Sequence, residues 1–289
     1  MDAVTGDQER AIEACRRAWA DAEREGPAPQ YVRDIITLDY ADVAAQILSA
    51  DEAAIRNLVN ALYAGDAIVM RGAFDKAFFD GLIQRLHGFA RAEPPSFHKM
   101  LAGTPDFHRI IDQDMTKSYA VTAVRHGFYF YRWNGDPVGA FGPVTERWRV
   151  LKILSGLQPE AFEANKPEDG VIDRLVFYQY PRGCGGLKSH VDPTNHHCIV
   201  MGAIMSERGR DFTAGGFFAV GPNGSHVDLE PCLKVGDFLI IYPTVEHGVD
   251  TVDPGAETVW DTADGRWFMG LSSVDSDHAA ARQTAERRE

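Results

Sequence analysis

The chain has 289 residues, 42 of them acidic and 29 basic, for a formal net charge of -13. That length suits one large domain with an elaborated core, or a barrel with a helical attachment. Lys and Arg are scattered rather than clustered, which argues against a nucleic-acid partner, and no apolar run approaches membrane-spanning length.

Met1-Asp-Ala-Val-Thr-Gly-Asp7 has neither a basic n-region nor an apolar h-region, so no secretory signal is expected. Asp7 to Glu25 and Asp42 to Tyr63 have helical spacing, broken apart by Gly26-Pro-Ala-Pro29. Ala67-Ile-Val-Met-Arg-Gly72 reads as a short strand. Asp75 to Ala92 reads as an amphipathic helix with Phe78, Phe79, Leu82, Ile83 and Leu86 on one face. Val124 to Trp133 is dense in aromatics and carries Arg125 and Arg132. It reads as a strand whose arginines lie in water or in ion pairs, or as a substrate wall in which Arg pairs with a carboxylate and Tyr rings cover the body.

From Arg174 onward the pattern changes to short strands. Arg174-Leu-Val-Phe-Tyr-Gln-Tyr180, Cys198 to Met205, Gly215 to Val220, Ser225 to Leu229, Asp237 to Tyr242, Glu246 to Val252 and Arg266 to Leu271 follow in turn, with Gly, Pro and Asn between them. Many short strands at even spacing indicate an antiparallel barrel or jelly roll. Asp275 to Glu289 is polar and reads as a loose helix or tail. Cys15, Cys184, Cys198 and Cys232 show no paired spacing. They read as buried thiols in a reducing cytoplasm rather than disulfides or a zinc site.

Within this stretch lies Ser189-His190-Val-Asp192, and further on His247. On a strand, residues i and i+2 point to one side. Two imidazoles and one carboxylate on one side of a metal leave its other positions open, the arrangement used by oxygen-activating Fe(II) enzymes. A second copy of the same four letters occurs at Ser225-His226-Val-Asp228. Spacing decides between them. The third ligand must come from a distant strand, and at roughly 8–12 residues per strand and turn the gap from Asp192 to His247 holds four or five strands. The gap from Asp228 holds at most two. His226 also follows Gly221-Pro-Asn-Gly224, a hairpin signal, and should open its return strand.

The region from about Arg174 to Asp275 resembles the catalytic core of the Fe(II)/2-oxoglutarate-dependent dioxygenases, nearest to the prolyl 4-hydroxylase-like branch. The resemblance rests on an ordered set: Tyr180-Pro-Arg-Gly183, His190/Asp192, Gly215-Gly216, Gly236-Asp237, His247 and Arg266. It implies a mainly β fold, a double-stranded β-helix (jelly-roll) barrel with N-terminal supporting helices. The corresponding division is helical support over 1–66, an α/β flanking region over 67–170, the catalytic core over 171–275 and a polar tail over 276–289.

The same resemblance implies Fe(II) on His190, Asp192 and His247, with 2-oxoglutarate and O2 as co-substrates. Arg266 would hold the distal carboxylate of 2-oxoglutarate, with Tyr180 as second contact and Lys188 or Lys234 as alternative cations. Two departures stand out. Arg266 lies further beyond His247 than is usual, across Asp253 to Gly265, which reads as a lengthened hairpin loop. Ile204 and Met205 stand where relatives often carry a hydroxyl. Asp192 favours hydroxylation over halogenation, because related halogenases replace that carboxylate with a small residue.

The expected substrate is a small molecule, such as an amino acid or biosynthetic intermediate, contacted by Arg125, Tyr129, Tyr131, Arg132, Asn195 and His196. The alternative is a cupin-type metal enzyme or binding protein not using 2-oxoglutarate. Gly236 to His247 resembles a second cupin motif, although the first cupin motif would supply His-x-His where this chain has His-x-Asp.

Overall fold

The computed structural model describes residues 6–287; Met1 to Thr5, read above for a leader, and the last two residues of the tail lie outside the described residues. Helix α1 (Gly6–Glu25) buries Ile12, Cys15 and Trp19. Where one helix was expected from Asp42 to Tyr63 there are two, α2 (Tyr40–Leu48) and α3 (Glu52–Tyr63). Ala50 takes a left-handed φ of 57°, and the Asp51 carboxylate accepts the Ala53 and Ala54 N–H groups. This local competition for backbone donors ends one helix and caps the next, contributing about 1 kcal/mol. Helix α4 (Lys76–Ala92) is capped in the same way by Asp75 and buries Phe79, Leu82 and Leu86.

Strands β1 (Ile35–Asp39) and β2 (Ala67–Arg71) pair in parallel, and β2 adds to the edge of the main sheet alongside β10 (Phe238–Ile241). Three elements before residue 171 were not anticipated: β1, β3 (Phe107–Ile111) and α5 (Phe141–Leu154). The two strands are too short to carry a period. Helix α5 buries Val150, Leu151, Lys152, Ile153 and Leu154 in succession, so it has no single apolar stripe to read.

The remaining strands are β4 (Ala123–Phe130), β5 (Val171–Tyr180), β6 (Gly186–Val191), β7 (Val200–Ile204), β8 (Gly216–Val220), β9 (His226–Asp228), β11 (His247–Asp250), β12 (Arg266–Asp275) and β13 (Glu286–Arg287). One sheet contains the run β10-β7-β12-β5, continued by β4 and β3; the other contains β6-β11-β8-β9. From β5 onward the chain passes back and forth between the two, the alternation of a jelly roll. One hydrophobic cluster includes Phe217, Ala219 and Val249 of the second sheet and Leu175, Phe177, Met201 and Met269 of the first. Full burial of each large apolar side chain stabilises by roughly 1.5–3 kcal/mol.

Two expectations change here. Asp253 to Gly265 is a crossover rather than a hairpin loop, because β11 and β12 belong to different sheets and do not pair. The tail is not a loose helix: β13 pairs with β6, placing Arg287 opposite His190. β4 pairs β6 only at Gly186 and Leu187, so the backbone groups further along that edge remain open to accept a strand.

Candidate metal centre and its facing wall

His190 is the penultimate residue of β6 and His247 opens β11, and the two are direct partners across the antiparallel ladder. Their ring centroids lie 4.4 Å apart. Asp192, just past the end of β6, is held by its N–H donating to the Pro243 carbonyl at 3.0 Å. Its carboxylate oxygens lie 3.9 Å from His190 Nε2 and 3.4 Å from His247 Nε2. One donor atom from each of the three lies within 4.8 Å of the others.

Both imidazoles are oriented from behind. His190 Nδ1 sits 3.0 Å from the Lys188 carbonyl, and His247 Nδ1 sits 2.9 Å from that of Val245. A carbonyl accepts only, so Nδ1 carries a proton in both rings, which leaves Nε2, on the side of Asp192, as the nitrogen that would ligate a metal. On the opposite side of the strands the Ser189 hydroxyl donates to the Glu246 carboxylate, tying β6 to β11 beside the two histidines.

Charge favours a cation here. Burial, then repulsion from His247, holds His190 down at about 4, so it is neutral and ready to ligate near pH 7. Burial also opposes charge on His247 and Asp192, but their mutual hydrogen bond and attraction outweigh it, raising the imidazole and lowering the carboxyl. A neutral imidazole, an imidazole paired to an anion, and that anion form a donor set that a divalent metal completes by displacing one proton. The three ligand types and their one-sided placement fit non-haem Fe(II).

The wall opposite comes from the first sheet. Arg174, Tyr178 and Tyr180 occupy alternate positions of β5 and therefore one face; Arg125 and Tyr129 do the same on β4. On β12, Arg266 pairs with Tyr180 and Phe268 with Tyr178. The Arg125 guanidinium stacks 3.8 Å over the Tyr178 ring, and its charge acts on both Asp192 and His190. The opposite face, with Leu175, Phe177, Trp267 and Met269, is core.

Arg266 is 1% exposed, and it is not a free cation. Its Nε donates to Glu230 Oε2 at 2.9 Å, and the same oxygen accepts the Phe217 N–H at 2.6 Å. Nothing in the Glu230-Pro231 turn suggested this partner. The pairing uses the Nε edge of the guanidinium, and Nη2 remains buried without a partner, as does Glu230 Oε1. Tyr180 lies between the two guanidiniums, its ring 5.8 Å from that of Arg266 and its phenol within electrostatic reach of Arg125. Burial raises the Tyr180 phenol against the pull of both cations, so it is a neutral donor near pH 7. Lys188 and Lys234 are exposed, the latter paired with Glu207 at 2.5 Å.

The other sequence candidates are dispersed. Tyr131 is buried and stacks on Trp133 at 4.6 Å between centroids. Arg132 lies 3.5 Å from Glu163 and 3.7 Å from Asp173, in a buried network with Lys152 on the core side of β5. Asn195 and His196 bond Asp275 at the end of β12, at 3.1 and 2.7 Å. That carboxylate also accepts the Gln283 N–H, so the loop after Asp192 is tied to the tail.

No protein-family model matches the chain, and no curated protein matches it. Several solved structures are similar in arrangement. A prolyl-4-hydroxylase of Pseudomonas putida is 13% identical, over 75% of this chain and 97% of that one, with a TM-score of 0.47. A Neurospora crassa protein solved in complex with alpha-KG and thymine is 12% identical over 88% of each chain, with a TM-score of 0.47. A Trichoplax adhaerens prolyl hydroxylase, in complex with a hypoxia inducible factor oxygen degradation domain peptide, is 13% identical over 79% and 92%, with a TM-score of 0.49. These likenesses transfer no residue role to this chain.

Proposed function

We propose that the protein is an Fe(II)- and 2-oxoglutarate-dependent dioxygenase that hydroxylates an unactivated carbon of a small molecule. The observation that carries this reading is the pairing of His190 with His247 across one ladder, both Nε2 atoms turned toward Asp192. In it the two sheets form a double-stranded β-helix over 171–275, with 1–66 as helical support, 67–170 as the flanking region and 276–289 as the tail.

With Fe(II) held by the triad, 2-oxoglutarate and O2 supply an oxidative decarboxylation coupled to C–H hydroxylation, releasing succinate and CO2. The chain's own part is to bind and orient. Arg266 offers its free Nη2 to the distal carboxylate while Glu230 fixes the guanidinium plane, and the Tyr180 hydroxyl provides a second donor. Arg125 and Tyr129 line the substrate side. Arg132 is engaged by Glu163 and Asp173 and has no part in this assignment. The four cysteines are all unpaired, which supports a reducing, cytoplasmic setting. Among the described residues no helix is long and apolar enough to cross a membrane.

Anaerobic addition of 2-oxoglutarate to the Fe(II)-loaded protein should produce a visible charge-transfer band. Admission of O2 should then yield succinate, with one O2-derived oxygen in the product. A product two hydrogens lighter would replace hydroxylation with desaturation or cyclisation. Turnover that ignores 2-oxoglutarate would overturn the reading in favour of a cupin.

A further inference from the structure

Although the chain is acidic overall, two guanidiniums on the wall facing the triad have no carboxylate within ion-pair distance among the described residues: Arg125 and Arg174. In each, Nε is buried and without a partner. Arg125 at least has the Asp192 carboxylate within electrostatic reach. Arg174 does not. Its Nη1 lies 4.0 Å from the Met100 thioether, and its guanidinium lies 5.7 Å over the Tyr129 ring. Tyr129 in turn meets Tyr178 edge-on at 6.4 Å, and Tyr178 carries Arg125. The two arginines are thus joined by a continuous aromatic surface. Gly127 leaves room for it, since a Cβ there would come within 2.7 Å of the Tyr129 hydroxyl.

A part-buried cation without an acceptor is costly, and such groups are found where a ligand completes them. The guanidinium fork matches a carboxylate, and the flat faces of Tyr129 and Tyr178 suit an apolar or aromatic body. Distance sets the shape. Arg174 leans over Tyr129, which pairs with Val176. On the order of 13 Å of strand separates that level from Tyr180, at ~3.3 Å per residue.

We propose that Arg174 reads an acidic group at the far end of the substrate, and that the substrate is an elongated organic anion with its acid at Arg174 and its oxidised carbon at the triad. This rests on the oxygenase reading above and narrows its substrate class. A compact amino acid held by its carboxylate at Arg174 does not span the distance.

The test uses calorimetric titration of the whole protein with decanoate, 4-phenylbutyrate and their primary amides. It is run both metal-free and loaded anaerobically with Fe(II) and 2-oxoglutarate. Wild type should bind at least one acid tenfold or more tightly than its amide. Arg174→Gln should bring that ratio to within about twofold, and Arg174→Lys should restore part of it, with the charge-transfer band present in both variants. An unchanged ratio in Arg174→Gln, or no acid preferred to its amide in wild type, overturns the proposal. Absence of the band in wild type counts against the oxygenase reading instead, and the metal-free titration then decides Arg174 on its own.

Discussion

The protein contains Ser-His-Val-Asp twice, and the two copies have opposite fates. In Ser189 to Asp192 the histidine is 5% exposed, on a strand paired on both sides, with His247 directly across the ladder. In Ser225 to Asp228 the histidine lies on β9, the last strand of its sheet, with its side chain 51% exposed. His226 stacks on Phe218 and bonds Asp250 at 2.7 Å, and Asp228 pairs outward with Arg208. Identical letters therefore build a candidate metal centre only where the sheet supplies a third donor and carbonyls behind the rings. On an edge strand they become an ordinary solvated ion pair.

The sharpest way to break the contrast is to remove ligands. Ala at His190, Asp192 or His247 should abolish Fe(II) binding and succinate formation, because each removes one of three protein donors. Equilibrium binding of Fe(II) under anaerobic conditions checks this, and full iron binding by His190→Ala would defeat the assignment.

The next effect concerns the wall. Glu230→Ala leaves the Arg266 charge buried and unopposed, and should cost about 3–5 kcal/mol in urea unfolding. Arg266→Leu strands Glu230 in the same way and should in addition raise the 2-oxoglutarate KM, a loss on the order of 2–5 kcal/mol in co-substrate binding, with iron retained. An unchanged KM would move the role to Arg125.

Acid should act through histidines outside the centre as well. Burial, with repulsion from His108, lowers His126 to about 3; burial, with repulsion from Lys152, lowers His197 to about 3. Both are neutral when folded and take up protons when unfolded, so their contribution is present above the ordinary histidine value near 6.5 and declines as pH falls toward the folded values. Each should remove about 1.4 kcal/mol of stability per pH unit across that window. Unfolding curves between pH 7 and 4 measure the slope, and His126→Gln should flatten it.

The smallest effect belongs to the second motif. His226→Ala should leave iron binding near wild type and shift stability by no more than about 1 kcal/mol, the scale of an exposed ion pair. A loss of iron comparable to that of His190→Ala would erase the distinction.

Much of this was legible in the chain because it depends on local period and spacing. Short β-rich and apolar runs closed by Gly, Pro and Asn placed the strands from β5 to β12, and the distance from Asp192 to His247, which accommodates β7 to β10, picked out the His-x-Asp that the structure brings together with a second histidine. The i, i+4, i+6 placement of Arg174, Tyr178 and Tyr180 on one strand face was also available, since period-two geometry fixes it before any contact is known. The tertiary structure decided which neighbours those faces meet. Whether Arg266 is free or held by Glu230, whether Arg132 faces substrate or Asp173, and whether the tail hangs loose or pairs beside His190 are set by contacts between residues far apart in sequence. Such contacts leave no period to read, because their energy comes from satisfying buried charges and open strand edges that exist only once the sheets have come together.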